Sequence, residues 1–171
     1  MGYDTDFQGA FDLDRPLTPE HKTYLLAFSD TRRMRRDASK TETRPDPLRL
    51  AAGLPVGPEG AYYVAEDGFC GQSNGGDVVD DNKPPEGQPG LWCKWVPTKD
   101  GRHIEWNGNE KFYEYTDWIE YIVEHFLQPW GYVLNGAVKW RGENFDDMGV
   151  ILVIENHVSE APYGTTLPVT Y

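Results

Sequence analysis

Four arginines crowd into one short run, Arg32, Arg33, Arg35 and Arg36, in a chain that is otherwise acidic. Guanidinium groups grip phosphate or carboxylate bidentately, so this run is the first candidate for holding an anion. On a helix, Arg32 shares a face with Arg35 and Arg36, while Arg33 projects elsewhere. With Trp92 or Trp140 nearby to stack, such a cluster could hold a nucleotide-like ligand by charge and ring contact. Trp92 is expected on the wet face of a hairpin, beside Lys94 and His103. The expected ligand-binding set is therefore Arg32, Arg35, Arg36, Trp92 and His103. The competing reading makes the run the C-terminal turn of a helix, satisfied by the dipole and by ion pairs to Asp30 and Asp37.

No catalytic signature is complete. The phosphate-binding G-x-x-x-x-G-K-[ST], the nucleophile elbow G-x-S-x-G, the zinc motif H-E-x-x-H and a paired C-x-x-C are all missing. His103, Ile104 and Glu105 have the H-x-E spacing of zinc deaminases, without the P-C-x-x-C that would complete the site. Four His and two Cys are too scattered to ligate a metal. Asp77, Asp80, Asp81 and Asn82 offer hard oxygen donors in one loop, but their spacing is not that of an EF-hand. A solvated acidic loop is the simpler expectation there. No catalytic residue, metal ligand or cofactor is assigned.

The formal net charge is −12, from 28 acids against 16 bases. Such a surface repels a phosphate backbone at long range, which argues against general nucleic-acid binding. It favours a basic partner or serves solubility alone. No apolar run approaches the roughly 20 residues needed to span a bilayer. The N-terminal stretch lacks the basic head and apolar core of a signal peptide, and Asp6 spoils a myristoylation signal. Cys70 and Cys93 are expected to be reduced, and the expected location is the cytoplasm.

Elements that could position these residues follow from periodicity. Residues 3–13 alternate, with Thr5, Phe7, Phe11 and Leu13 on one side and Asp4, Asp6, Gln8 and Asp12 on the other, as in a half-buried strand. Thr18, Pro19 and Glu20 open a helix that ends near 29–34. Residues 37–60 and 66–90 read as long irregular loops, with a short strand expected over 61–64. Residues 91–108 read as a hairpin turning at Asp100-Gly101, which sets Trp95 opposite Trp106 and Pro97 opposite Ile104. Residues 116–128 form the clearest helix, capped by Thr116. Residues 132–140 alternate through Leu134, Val138 and Trp140, and 150–155 are apolar on both faces, as in an inner strand. The tail 159–171 carries no regular signal. The fold class is α+β: one domain over 1–171, with an antiparallel sheet of about five strands and two helices on one face. The order is ferredoxin-like, β-α-β-β-α-β plus an added strand.

The stretches YDTDFQGAFDLDRPLTPEH, TRRMRR and GYVLNGAVKWRGENFDDMGVILVIENHV resemble a group of small accessory proteins from bacteriophages and bacterial genomes. Together they cover roughly a third to a half of the chain. The resemblance brings no active-site residues with it. It implies a setting, in which small phage proteins bind and inhibit host components, antiviral defence included. The expected function is a non-catalytic binding protein, an inhibitor that sequesters a host protein or a nucleotide-derived signal. The alternative is a small nucleotide hydrolase or phosphoesterase using His103 and loop carboxylates.

Overall fold

The computed structural model describes residues 2–65, 70–72 and 76–167. The chain divides into two compact units, the first made of Met1–Pro16 with Lys94–Tyr171 and the second of Leu17–Cys93.

The first unit is organised by its N-terminal strand. β1 (Thr5–Gln8) and β2 (Phe11–Leu13) both pair antiparallel with β7 (Leu134–Gly142). Gln8 lies opposite Lys139 and Phe11 opposite Gly136, so the register runs on unbroken across Gly9 and Ala10. The two segments are one strand, interrupted where Gly9 takes a φ of 103° that only glycine adopts readily. β5 (Trp95–Pro97), β6 (His103–Trp106), β8 (Met148–Ile154) and β9 (His157–Ala161) complete an antiparallel sheet in the order β5-β6-β2-β7-β8-β9, with β1 also on β7.

Because side chains alternate across a strand, one face of this sheet carries Phe7, Phe11, Trp95, Ile104, Val138 and Ile151, all buried. Phe7 is the hub, with its ring 5.1–5.6 Å from those of Tyr115, Trp106, Trp95 and Phe112. The helix α4 (Tyr115–Ile122) continues as a π-helical turn over Val123–Leu127. Its Trp118, Ile119, Ile122 and Phe126 are fully buried, and the Trp95 indole donates to the Tyr115 carbonyl at 2.8 Å. On the opposite face Asp6, Gln8, Asp12, Lys139 and Arg141 reach solvent.

In the second unit, Thr18 caps α1 (Pro19–Asp30) by accepting from the His21 N–H, as the sequence predicts. Short elements follow: β3 (Arg35–Arg36), α2 (Ala38–Thr41), α3 (Pro47–Ala51), a 3-10 turn at Pro58–Gly60, and β4 (Val78–Asp80), which pairs with β3. Among the described residues, all the buried polar and charged ones but Thr5 lie in this unit.

Several expectations are corrected. The main sheet has seven strand segments rather than about five, and the described residues hold four α-helices. Two helices were expected on one face of a single sheet, but α1 belongs to the second unit and only α4 to the first. Residues 61 and 62 form a turn and 63 and 64 no regular element, rather than a strand, and 37–60 is punctuated by α2, α3 and the 3-10 turn. The tail contributes β9, whose backbone pairs with β8 despite its weak apolar pattern. The cap of α4 is Glu114 in a left-handed conformation, one residue ahead of the helix start at Tyr115; Thr116 lies in the first turn, and its hydroxyl donates to Glu160 at 2.5 Å. Parts of the 66–90 loop and the end of the tail lie outside the described residues.

Truncating Phe7 removes ring contacts to four aromatic neighbours at once. Phe7→Ala is expected to cost about 3–5 kcal/mol, read as a lowered midpoint in urea unfolding followed by Trp fluorescence.

Candidate functional site

The arginine run begins after α1 has ended. The helix stops at Asp30, and Arg35 and Arg36 lie in the extended strand β3. Helical spacing therefore does not group Arg32 with Arg35 and Arg36. Adjacent residues of a strand point to opposite sides, and within β3 Arg35 is partly exposed while Arg36 is 2% exposed. Ahead of the strand, Arg33 is also 2% exposed and Arg32 partly exposed.

Arg33 spans irregular backbone that has no ladder of its own. Its Nη1 donates to the Tyr63 carbonyl (2.8 Å), its Nη2 to Ala61 (2.7 Å) and its Nε to Gln88 (3.3 Å), with the guanidinium over the Phe28 ring. Arg36 donates to Asp77 (3.0 Å) and to the Gly71 carbonyl (2.7 Å), and stacks on Tyr63. Asp77 also accepts from the Thr41 hydroxyl at 2.7 Å and lies 3.2 Å from Arg44. Burial alone would raise the Asp77 pKa, but the Thr41 hydroxyl and the Arg36 and Arg44 charges outweigh it and hold it below its ordinary value. Asp77 is thus a buried counter-ion and not a solvated loop acid.

Arg32 donates through Nε to the Asp81 carbonyl, and Arg35 lies 3.0 Å from the Glu59 carboxylate. The nearby hollow of about 330 Å³ is lined by Met34, Gln72, Val78, Val79, Asp80 and Asp81. Its charged lining is acidic, so it does not present the guanidinium groups to an anion.

Of the other predicted ligand residues, Trp92 directly follows Leu91, whose carbonyl accepts from the Arg33 N–H at 2.8 Å. Trp92 precedes the hairpin strands and falls in the second unit, whereas His103 is in the first. The hairpin register itself is as predicted, with Trp95 opposite Trp106 and Pro97 opposite Ile104. Trp95 is buried and Trp106 half-buried. His103 sits on the open face of the sheet and its Nδ1 is 2.7 Å from Asp12 Oδ1, a partner that comes from the neighbouring strand β2. Among the described residues no group of three or more His, Cys, Asp or Glu side chains is placed to hold a metal ion.

A different cationic site is present on that same open face. Lys139 and Arg141, two apart on β7, point outward together, across from Gln8 and Asp6 on β1. With Trp140 and Tyr163 they line a cleft of about 310 Å³. The Tyr163 ring is 44% exposed, with Lys139 Nζ 5.9 Å and the Arg141 guanidinium 5.6 Å from its centroid. Among the described residues neither cation forms an ion pair within 4.0 Å. The wet-face position of Lys139 and Arg141 was readable from the alternation of 132–140. Tyr163 was not, because it comes from a stretch without periodicity.

A second hollow in this unit, of about 250 Å³, is acidic and lined by Glu114, Tyr115, Thr116, Asp117 and Glu160. A hydrogen bond with Asp117 raises the Glu114 pKa, since two neighbouring carboxyls favour sharing a proton. Burial, with Asp147 and Glu160 nearby, pushes Tyr115 up to about 12.

Comparison with protein-family models, with curated proteins and with solved structures finds no match to this chain.

The Arg36–Asp77 pair carries two consequences. Asp77→Ala leaves two guanidinium groups facing a buried gap and is expected to cost about 3–5 kcal/mol. The depressed pKa of Asp77 makes its contribution to stability complete above the unfolded-state pKa of about 3.9 and lost as pH falls through the lower folded-state value. Urea midpoints measured from pH 6 down to pH 2 should fall most steeply below about pH 4, and that acid sensitivity should shrink in Asp77→Ala.

Proposed function

We propose that this is a non-catalytic binding protein that captures a small anionic ligand in the cleft of Lys139, Arg141 and Tyr163. The carrying observation is the convergence on one exposed aromatic ring of two cations that have no ion-pair partner among the described residues, in a chain of net charge −12. An acidic protein that binds an anion has to reverse its potential locally. The arginine run does not supply that reversal freely, because Arg33 and Arg36 are committed to the interior of the second unit. Lys139 and Arg141 stand at the surface. A phosphate or carboxylate would take their donors, and a planar group would lie against Tyr163. Asp6, on the rim, would accept from a donor on the ligand. A nucleotide-derived anion meets all three requirements, which supports the reading as a sequestering protein of the phage-inhibitor kind. The run β5-β6-β2-β7, with the N-terminal strand between β6 and β7, likewise supports reading the sheet as an elaborated ferredoxin-like unit.

A hydrolase is the second reading, favoured by the adjacent Glu114 and Asp117 carboxyls at one hollow, since paired carboxyls can divide acid and base roles. Incubation with adenosine monophosphate separates the two: a binder returns it intact after denaturation, an enzyme returns product.

Calorimetric titration with adenosine monophosphate, with inorganic phosphate in parallel, is expected to show binding to the wild type. Loss of one charge-assisted contact is worth about 1.5–3 kcal/mol, so Lys139→Ala and Arg141→Ala should each weaken binding by roughly tenfold to over a hundredfold. Arg35→Ala should bind as the wild type does. If Lys139→Ala and Arg141→Ala both bind like the wild type, the cleft is not the site.

A further inference from the structure

The five-residue turn between β7 and β8 holds a side chain that nothing in the fold buries. Between β7 and β8 the chain reads Glu143-Asn144-Phe145-Asp146-Asp147, and the Phe145 side chain is 93% exposed. Single exposed apolar residues are ordinary, but such residues usually ride on loose loops or lie flat against neighbours. This one does neither, because its loop is fastened on several sides.

Asp147 is the fastening point. Its Oδ2 accepts from the Tyr3 hydroxyl at 2.6 Å, its Oδ1 from the Trp140 indole at 3.3 Å, and its carbonyl from the Gly142 N–H at 2.7 Å. The Tyr3 oxygen in turn accepts from the Asn144 N–H at 3.0 Å, and Glu143 accepts from the Asp4 N–H at 2.8 Å. The Asp147 N–H closes the turn on the Asn144 carbonyl at 3.0 Å. Gly142 is required for this convergence, since a Cβ there would lie 2.2 Å from both Asp147 Oδ2 and the Tyr3 hydroxyl. The N-terminal segment and the hairpin thus lock each other, and the locked turn presents one aromatic ring to solvent.

We infer that Phe145 is an anchor that inserts into an apolar pocket on another protein, one whose pocket is rimmed by lysine or arginine. A rigid aromatic projection loses little entropy on docking, which is why such residues dominate interface energetics. The rim follows from charge: Glu143 and Asp146 are exposed on either side of the ring, and the chain as a whole carries −12. The same net charge makes a second copy of this chain a poor occupant, because two such surfaces repel. The inference is independent of the anion cleft, which uses different side chains.

The test places a benzophenone amino acid at position 145 of the full chain, in cells that naturally express it, and irradiates them. A parallel chain carries the same group at Tyr113, an exposed position on another loop. The expected result is a protein adduct specific to position 145. The purified adduct partner should then bind the wild-type chain, with affinity at least tenfold weaker for Phe145→Ala at an unchanged melting temperature. Glu143→Gln with Asp146→Asn should slow association and flatten its salt dependence. Gly142→Ala keeps the ring but loosens the turn, and should fall between wild type and Phe145→Ala. No protein adduct specific to 145, an adduct to lipid or to a second copy of the chain, or a purified partner that binds Phe145→Ala as it binds wild type would each overturn the inference.

Discussion

Arg33 and Arg36 occupy places in the second unit that a core ordinarily gives to leucine or phenylalanine. Their surroundings explain why. The segments around Ala61, Tyr63 and Gly71 have no helix or sheet ladder to satisfy their carbonyls, and a buried carbonyl without a partner is costly. A guanidinium offers five donors in a planar fork and an apolar face that stacks on a ring. One side chain can therefore tie together backbone segments that share no regular structure. Burying the charge is itself expensive, and the arrangement holds only because Asp77, Thr41, Phe28 and Tyr63 meet it on every side. Much of what looks irregular in Leu17–Cys93 is organised around these two residues.

The first unit solves the same problem by opposite means. Its strands are paired in one antiparallel ladder, and its interior is a cluster of aromatic rings centred on Phe7. Its polar groups are consequently left for the surface. The open face of the sheet carries the Asp12–His103 pair and the Lys139–Arg141 cleft, and the turn after β7 carries the exposed ring of Phe145. Scaffold and surface are thus separated along the strands themselves, with alternate residues serving each.

The elements legible in the sequence were those set by local rules. Alternation located the strand through Phe7 and Phe11, Thr18 marked the start of α1, and the turn at Asp100-Gly101 fixed the pairing of Trp95 with Trp106. The arginines were misplaced because the sequence does not show where α1 gives way to extended chain. Arg32, Arg35 and Arg36, which would share a helical face, are instead split, with Arg36 in the interior and the other two partly exposed. Their partners, Asp77 and the carbonyls of Ala61 and Tyr63, are remote in sequence, so no spacing rule could reveal them. β9 was missed for a related reason: an edge strand is specified by its neighbour's backbone as much as by its own pattern. The cleft was half legible, since Lys139 and Arg141 follow from the period of β7 while Tyr163 does not.

The chain order of the two units bears on how the molecule is made. The central strand of the first unit, Thr5–Leu13, is synthesised first, yet its partners β6 and β7 lie some 90 to 140 residues downstream. The second unit is contiguous, so all of its residues have been synthesised before the first unit's remaining strands exist. During translation the N-terminal strand therefore waits with both edges unpaired and Phe7 and Phe11 uncovered. Such a segment is a target for chaperones and for wrong pairing with other nascent chains. Its alternating aspartates, Asp4, Asp6 and Asp12, would then act before folding as well as after it, as charges that discourage edge-to-edge association while the rest of the sheet is awaited.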